Sequence, residues 1–224
     1  GEEITRLRQK QAEYLALQNQ INPHFLYNAL EAIRTDALLA NCPDIAETTE
    51  ALATFFRYTI SNVQEYVTFS DELDNAENYF TIQRCRFGDK ISLELELENE
   101  RLLEVRMPKL ILQPLVENAV SHGLEGKLGH GTVRIIVENS DRTFFLRVRD
   151  DGVGMPDEQV ERLNAQFGGV GGADMTQPCG GIALRNVNSR IRLMLGEDYG
   201  LHLFSAAGVG TECCVTLPLR FREA

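Results

Sequence analysis

Three short segments of this 224-residue sequence carry side chains that could act together in one reaction. The first contains His24, directly after Pro23. A neutral imidazole is a competent nucleophile near pH 7 because its reference pKa is about 6.5. A single histidine on a helix is more often a packed or surface residue. The significance of His24 therefore depends on the other two segments.

The second segment ends a predicted helix and contains Asn118 and His122. These residues are four apart, so they share one helix face. The amide oxygen of Asn118 is a hard ligand that suits Mg²⁺, and the ring of His122 can donate to a phosphate. By itself, such a polar stripe is more often a solvated helix face.

The third segment, residues 150–154, follows a predicted strand. Gly152 and Gly154 would let the backbone approach a flat ring, and the carboxylate of Asp150 can accept a hydrogen bond from an exocyclic amine. A glycine-rich loop at 168–181 then leads into a predicted helix start, where free N–H groups favour an anion. It lacks the Gly-Lys-Ser/Thr sequence of a P-loop. Taken alone, residues 150–154 could be an Asx turn, and the loop at 168–181 could be a connector.

Composition excludes several other classes of protein. The net charge of −11 argues against a broad nucleic-acid surface, which needs clustered Lys and Arg. The five cysteines form no C-x-x-C pair, so we expect idle thiols and neither a disulfide framework nor a zinc site. No apolar run reaches about 18 residues, so no segment of this chain is expected to span a membrane.

Residues 1–64 are predicted to form a helical hairpin. Glu3 to Ala40 contains one proline, which could kink the helix, and its apolar residues recur at alternating spacings of three and four. A break follows at 41–43, and Asp44 with Glu47 resembles a capping box. Because one hairpin buries little surface, two copies are expected to form a dimeric four-helix bundle; the alternative is packing against the same chain. The predicted apolar positions are Ile4, Leu7, Tyr14, Ile21, Phe25, Ile45, Leu52, Phe55, Phe56 and Ile60.

Residues 65–224 are predicted to form an α+β domain. Ile91 to Leu97 alternates between apolar and polar residues, as a half-buried strand does. Strands with one polar face, joined largely by hairpins, indicate a mixed, mostly antiparallel sheet with helices on one face. Further strands are predicted at 102–106, 133–137, 144–148, 201–205 and 211–217, and helices at 70–86, 108–123, 156–167 and 182–195.

In this order and at this spacing, the segments resemble the Bergerat ATP-binding fold. That α/β sandwich is shared by histidine kinases, Hsp90-type chaperones, type II topoisomerases and mismatch-repair ATPases. Residues 117–119 are similar to its N box, 150–154 to the next box, and 181–184 to the box after the ATP lid. Residues 208–211 resemble the closing turn of the same fold.

The resemblance implies a role for each matching position. Asp150 would bind the adenine amino group, and Asn118 would hold a Mg²⁺ ion that bridges the phosphates of ATP. The lid between Met155 and Gly180 would close over those phosphates. The implied nucleotide-binding residues are Asn118, His122, Asp150, Gly152, Gly154, Gly181, Leu184, Arg185 and Thr211.

The N-terminal half narrows the resemblance to one subfamily. Residues 20–30 closely resemble the phosphoacceptor helix of LytS/YesM-type sensor histidine kinases, and residues 79–89 are similar to the same subfamily. This implies that a homodimer transfers the γ-phosphoryl group of ATP to His24 and then to an aspartate of a response regulator receiver domain. It also implies transmembrane helices before Gly1, so that this chain would be the cytoplasmic portion of a protein anchored in a bacterial inner or plasma membrane.

The sequence departs from the common histidine kinase pattern at several positions. Phe25 stands where many members place Glu or Asp, so Asn28 and Glu117 are candidates to assist His24. Ser121 stands where many have Lys, which would leave more of the phosphate contact to His122. Two further departures are Ala183 in place of a glycine and a lid with Arg162 as its one basic residue.

Two alternatives share the same ATP-binding segments. An ATPase relative without His24 chemistry would explain residues 108–217 but not the Asn-Pro-His helix. A pseudo-kinase would act as a dimeric signalling scaffold and bind nucleotide poorly.

Overall fold

The computed structural model of the chain describes residues 22–61, 66–168 and 181–221. The chain divides between residues 62 and 63 into two compact units. Four predicted seam residues, Ile4, Leu7, Tyr14 and Ile21, lie outside the described residues. In the described part, no helix combines the length and the apolar character needed to cross a bilayer.

The first unit is a hairpin of helices α1, Pro23–Leu39, and α2, Pro43–Ile60. The extended Asn22 caps α1, because its side chain accepts hydrogen bonds from the backbone N–H groups of His24 and Phe25 at 3.1 and 3.3 Å. Pro23 therefore occupies the first helical position, where its missing N–H group costs nothing. The predicted kink at Pro23 involves the chain before Asn22, which lies outside the described residues; in the described part, Pro23 begins the helix.

The start of α2 differs from the prediction. Its N-cap residue is Cys42, which makes no side-chain capping bond, and Asp44 lies within the first turn. The predicted Asp44–Glu47 capping box is wrong because Pro43, with its fixed φ, takes the first helical position. Ile45 is 54% exposed, so it does not belong to the buried side of the helix. The buried residues of the hairpin are mostly small: Leu30, Ala37, Ala46, Thr49, Ala51 and Ala53.

The second unit contains a five-stranded mixed sheet with the strand order β2-β4-β5-β7-β6. β2 and β4 run parallel, and the other neighbours are antiparallel. The predicted α+β class, with a mixed, mostly antiparallel sheet, is confirmed. The strands are β1, Tyr66–Thr68; β2, Ile91–Leu97; β3, Arg106–Pro108; β4, Gly131–Asn139; β5, Thr143–Asp150; β6, Gly200–Ala206; and β7, Gly210–Pro218. The helices are α3, Phe69–Phe87; α4, Leu112–Asn118; α5, Asp157–Phe167; and α6, Ile182–Leu195.

One face of this sheet is apolar and packs against helices. Alternate residues of the central strand β5 are buried, and the ring of Phe144 lies 5.5 Å from that of Phe69 in α3. The opposite face carries ion pairs between neighbouring strands, such as Arg134 with Glu94 at 2.7 Å. This two-faced pattern is what the alternation in the sequence predicted.

The segment between β2 and β4 differs most from the prediction. Glu100–Glu104 is a 3₁₀ helix, so the predicted strand at 102–106 is wrong, and Pro108 belongs to the short strand β3, which pairs with β1. The predicted helix at 108–123 begins only at Leu112, because Leu110 has a left-handed φ of +58° that no helix can include. After Asn118 the helix continues as a π-helical segment, Ala119–Leu124.

The capping of α3 lies two residues before the predicted start. Thr68 accepts a hydrogen bond from the backbone N–H of Asp71 at 3.2 Å, and the Asp71 carboxylate accepts one from Thr68 at 3.0 Å. This is a complete capping box, so the helix begins at Phe69, directly after β1. Ser70, where the prediction began the helix, lies inside the first turn.

Candidate functional site

A cavity of about 250 Å³ lies where the sheet meets helices α4, α5 and α6. Seven residues that the sequence selected line this cavity, although they come from four separate segments of the chain. They are Asn118, His122, Asp150, Gly154, Gly181, Leu184 and Thr211.

Asp150 is the last residue of β5 and is 4% exposed. One of its oxygens accepts a hydrogen bond from the backbone N–H of Gly152 at 2.9 Å. Burial raises the pKa of Asp150 to about 6, although bonds from the Gly152 and Thr211 backbones act to lower it. A carboxylate in this position is a strong acceptor facing a small, largely desolvated space.

The neighbouring carboxylate of Asp151 has a different environment. It accepts a hydrogen bond from the Thr132 backbone at 2.8 Å and pairs with Lys127 at 3.0 Å. Partial burial acts to raise the pKa of Asp151, but the Thr132 N–H and the Lys127 ammonium outweigh it and leave that pKa lowered. The Asp151 carboxylate therefore stabilises the turn after β5, whereas that of Asp150 faces the cavity.

Thr211, near the start of β7, lines the cavity, and Ser205, near the end of β6, holds its hydroxyl. The Ser205 hydroxyl accepts a hydrogen bond from the Met155 backbone at 2.9 Å and donates one to the Gly210 carbonyl at 2.8 Å. The hydroxyl of Thr211 lies 2.7 Å from that of Ser205. Since Ser205 has one proton, which goes to Gly210, Thr211 is the donor of this bond. The Thr211 oxygen then keeps acceptor capacity toward the cavity.

Gly152 and Gly154 allow the close backbone contacts that shape this end of the cavity. A Cβ atom on Gly152 would lie 2.1 Å from the Gly123 carbonyl oxygen. One on Gly154, which has a φ of +66°, would lie 2.0 Å from the carbonyl oxygen of Ala206. Glycine is therefore required at both positions by contact, and at Gly154 also by conformation.

Asn118 and His122 reach the cavity from α4 and from the π-helical segment after it. Such π-helical segments occur frequently at functional sites. Ser121, between them in sequence, bonds instead to Tyr79 of α3. Burial raises the pKa of Tyr79 to about 12, and the bond to Ser121 acts against that rise. His122 is thus the side chain of this turn that faces the cavity.

Three of the site residues predicted in the second unit do not line the cavity. Gly152 supports it from behind, Arg185 lies further along α6, and Glu117 is exposed. Sequence reasoning missed five lining residues: Gly123, Met155, Gln159, Leu163 and Leu203. The amphipathic spacing of α5 could have indicated Leu163 as an inward residue. Residues 169–180 of the predicted lid lie outside the described residues.

A larger hollow of about 490 Å³ lies at the same end of the sheet, over its charged outer face. The two arginines that line it already form ion pairs, Arg134 with Glu94 at 2.7 Å and Arg149 with Glu212 at 2.5 Å. It therefore offers no uncompensated positive charge for a phosphate. Although it is smaller, the cavity of about 250 Å³ therefore has the lining that is better suited to a phosphate-bearing ligand.

His24 lies in the first turn of α1 and is exposed. The amide nitrogen position of Asn28, one turn later, lies 3.2 Å from its Nδ1 atom. A flip of the amide group exchanges its oxygen and nitrogen. The amide oxygen of Asn28 can therefore accept a hydrogen bond from a protonated Nδ1 of His24. In that arrangement the lone pair of Nε2 points away from Asn28 and is free to react.

The lining of the smaller cavity suits an adenine nucleotide. A buried carboxylate, Asp150, can accept from an exocyclic amine, and Met155, Leu163, Leu184 and Leu203 supply apolar walls for a flat ring. Asn118 provides an amide oxygen of the kind that Mg²⁺ accepts beside phosphates. The donors and acceptors present therefore fit Mg²⁺ and ATP.

Two family models match this chain. Residues 12–91 match the model described as histidine kinase. Residues 104–221, more than half of the chain, match the model described as histidine kinase-, DNA gyrase B- and HSP90-like ATPase. The second match contains every residue that lines the smaller cavity.

Among curated proteins, the chain is 36% identical over 211 residues to the sensor histidine kinase YesM of Bacillus subtilis, covering 94% of this chain and 34% of YesM. It is 35% identical over 220 residues to the sensor histidine kinase YpdA of Escherichia coli, covering 97% of this chain and 36% of YpdA. The chain thus spans about a third of the length of these relatives. Among solved structures, the catalytic domain of histidine kinase ThkA is similar with a TM-score of 0.52 at 15% identity, covering 70% of this chain and 98% of that domain.

Proposed function

Because the chain belongs to the histidine kinase family, with LytS/YesM-type sensor kinases among its relatives, we propose that it transfers the γ-phosphoryl group of ATP to His24. The phosphoryl group then passes to an aspartate of a response regulator receiver domain. The observation that carries this proposal is the buried carboxylate of Asp150, which faces a cavity of nucleotide-binding chemistry in the same chain as an exposed, oriented histidine.

In the proposed reaction, Nε2 of His24 attacks the γ-phosphorus in line with the bond to the bridging oxygen. An N–P bond forms, the P–O bond breaks, and ADP leaves with the electron pair. The proton on Nδ1 is held toward Asn28 during the attack and is then lost to water. Most of the rate acceleration in such transfers comes from positioning and charge neutralisation.

The residues of the cavity would hold the nucleotide at its two ends. Asp150 accepts from the adenine amine, while Gly152 and Gly154 shape the base pocket and Thr211 accepts a further bond. Asn118 would bind Mg²⁺, which neutralises phosphate charge when bound. His122 donates to a phosphate. Gly181, Leu184 and Arg185 would support the phosphates at the start of α6.

Asn28 and Glu117 are the proposed assisting residues. Support for Asn28 is its 3.2 Å contact with Nδ1 of His24. Glu117 is exposed beside Asn118, so it is available to a histidine that is brought to the cavity from outside.

The proposed organisation follows the two parts of the sequence. Residues 1–64 would dimerise and carry the phosphoacceptor, and residues 65–224 would bind ATP. The exposed apolar side chains on the hairpin support a homodimer. We also propose that this chain is the cytoplasmic portion of a membrane-anchored sensor, as its relationship to sensor kinases suggests.

Incubation with γ-labelled ATP and Mg²⁺ tests the proposed function. We expect acid-labile, alkali-stable label on the wild-type chain, as a P–N bond requires, and none on His24→Gln. Asn118→Ala should bind nucleotide more weakly and label slowly. The exposed His130, outside both sites, gives a matched control, so His130→Gln should label like the wild type.

The same experiment separates the alternatives. Release of inorganic phosphate without labelled protein would indicate an ATPase. Weak nucleotide binding with neither label nor phosphate release would indicate a pseudo-kinase scaffold. Equal labelling of His24→Gln and wild type would disprove His24 as the acceptor.

A further inference from the structure

A buried carboxylate caps the helix that carries Asn118, although it comes from another helix. Glu72, in the first turn of α3, is 1% exposed. Its two oxygens accept hydrogen bonds from the backbone N–H groups of Leu110 at 3.1 Å, Ile111 at 2.5 Å and Leu112 at 3.1 Å. The N-cap residue of α4 makes no side-chain cap of its own. Glu72 thus satisfies the free donors at the start of α4 from outside that helix.

The capped segment is strained at one residue. Leu110 has a left-handed φ of +58°, which is rare for a leucine. Such a conformation persists only where surrounding contacts hold it in place. Glu72 holds the N–H group of Leu110, and a second side chain holds its carbonyl group.

That second side chain is Arg190 of α6. Its Nη2 atom donates a hydrogen bond to the Leu110 carbonyl oxygen at 2.5 Å. Its Nε atom is buried and has no hydrogen-bond partner among the described residues. Glu72 is the charged group that acts on Arg190 electrostatically. The half-buried cation of Arg190 and the buried anion of Glu72 therefore meet at the two polar backbone groups of one strained residue.

A further buried bond ties α3 to α4. The amide of Asn75, one turn after Glu72, donates to the side chain of Gln113 at 3.0 Å. Asn75 is 2% exposed. The start of α4 is therefore fixed to α3 through both backbone and side-chain bonds.

The two helices joined at Leu110 also line the candidate nucleotide cavity. α4 carries Asn118 at its end, and α6 carries Leu184 in its first turn. Helix α6 follows Gly181, which also lines the cavity. A displacement of α6 relative to α4 would therefore change the width of the cavity between Asn118 and Leu184.

We propose that Glu72 and Arg190 are positioning residues that set Asn118 relative to α6 through the backbone of Leu110. This rests on the proposed function, because it assigns them to the Mg²⁺ and phosphate end of the site. The adenine end, held by Asp150 of β5, lies on a different element and does not depend on this contact.

The test compares Arg190→Met and Arg190→Lys with the wild-type chain. Nucleotide affinity is measured by calorimetry for Mg·ATP and for ADP with the metal chelated. Arg190→Met should weaken Mg·ATP binding about tenfold, since small misplacements of binding groups have effects of this size or larger. Its affinity for metal-free ADP should change less than twofold, and Arg190→Lys should recover part of the loss.

Amide hydrogen exchange of the nucleotide-free protein gives a second readout. Glu72→Gln leaves one amide oxygen to accept from three backbone donors, so the amides of Leu110, Ile111 and Leu112 should exchange faster. Arg190→Met should raise the exchange of the same amides, although it contacts only the Leu110 carbonyl.

Arg106 provides the matched control. Its Nη2 atom also donates to a backbone carbonyl, that of Tyr66 at 2.8 Å, but it joins β1 to β3 away from the cavity. Arg106→Met should lower stability without changing the ratio of Mg·ATP to ADP affinity or the exchange of the Ile111 and Leu112 amides.

The outcomes separate the two proposals. A wild-type chain that does not bind Mg·ATP overturns the proposed function and this inference together. Wild-type binding with an unchanged affinity ratio in Arg190→Met overturns only the inference. Loss of the native circular dichroism spectrum in both Arg190 variants would also overturn it, because the residue would then serve the fold alone.

Discussion

At the residue scale, burial gives two adjacent aspartates different properties. Asp150 is enclosed at the end of β5, whereas Asp151 is paired with Lys127 at the surface. The pKa of Asp150 is raised to about 6 and that of Asp151 is lowered. The folded protein is therefore destabilised by the charge that nucleotide binding is proposed to use.

Asp150→Asn should stabilise the nucleotide-free protein at pH 7.5. The stability provided by protonated Asp150 is fully present below its unfolded pKa of 3.8 and is lost as the pH rises through about 6. A shift of about two units corresponds to at most about 3 kcal/mol. Urea unfolding at pH 7.5 should show a gain of up to that size, and at pH 4 the two proteins should be nearly equal.

The same variant should bind adenine nucleotides poorly, so stability and binding should change in opposite directions. A less stable Asp150→Asn at pH 7.5 would contradict the assignment of burial as the main cause of the raised pKa.

Asn28 provides a second prediction at this scale. Asn28→Ala removes the partner of His24 Nδ1, so phosphorylation should slow by about 100-fold. Asn28→Asp should retain activity, and its carboxylate should shift the acid limb of the pH–rate profile to higher pH by stabilising the imidazolium form. Initial rates of labelling between pH 6 and 9 measure both effects.

The control for this prediction is Glu31→Gln, an exposed change further along the same helix. It should leave the rate and its pH dependence unchanged. Equal rates for Asn28→Ala and the wild type would exclude a role for Asn28 in orienting the ring.

At the element scale, two asparagines cover the edge strand β6. The side chain of Asn164 in α5 binds both backbone groups of Leu203, each at 2.8 Å. The side chain of Asn188 in α6 accepts from the Leu201 N–H at 2.9 Å. These bonds take the place of a further strand, and they attach α5 and α6, the helices on either side of residues 169–180, to the sheet.

Asn164→Asp should destabilise the second unit at neutral pH. The carboxylate can still accept from the Leu203 N–H, but it places a second oxygen against the Leu203 carbonyl instead of a donor. Leaving that carbonyl unsatisfied costs about 1–3 kcal/mol. Thermal unfolding should show this loss at pH 7 and a smaller one near pH 4, where protonation restores a donor.

Glu161, an exposed residue of the same helix, provides the comparison. Glu161→Gln should change the unfolding temperature little at either pH. A stability of Asn164→Asp equal to the wild type at pH 7 would show that the edge of β6 does not depend on this side chain.

At the scale of the whole molecule, the hairpin leaves a large apolar surface uncovered. Phe25 is 72% exposed and Leu39 is 82% exposed, and the hairpin core consists mainly of small side chains. Ile33, Leu38 and Ile45 are also at least half exposed. Apolar surface of this extent on a helical pair is typical of an interface between chains.

Ile33→Glu combined with Leu38→Glu should weaken the proposed homodimer. Each change places a charge in surface that the dimer would bury, which is strongly unfavourable without a partner. Light scattering after size-exclusion chromatography should show a dimer for the wild type and a monomer for the double variant at low micromolar concentration. ATP binding should be retained, because these residues belong to the other unit.

Leu193, which is 87% exposed on α6, tests whether any exposed leucine has this effect. Leu193→Glu should leave the oligomeric state unchanged. A wild-type chain that is monomeric across the concentration range would contradict the proposed bundle.

The sequence by itself determined the class of the fold and selected seven of the residues that line the smaller cavity. Strict alternation located β2, and the bounds of α6 agree with the prediction, because both signals are local in sequence. Asp150, Asn118 and Gly154 were predicted as site residues from side-chain chemistry and from their similarity to known boxes.

Only the tertiary structure decided where α4 begins. A helix was predicted from Pro108, but the strained Leu110 delays it, and that conformation depends on Glu72 and Arg190 from distant helices. Leu203 lines the cavity, but the sequence could not distinguish it from a core residue, because its neighbours come from distant parts of the chain. Local pattern specifies which elements form, whereas contacts between residues far apart in the chain specify where they end and which side chains face a cavity.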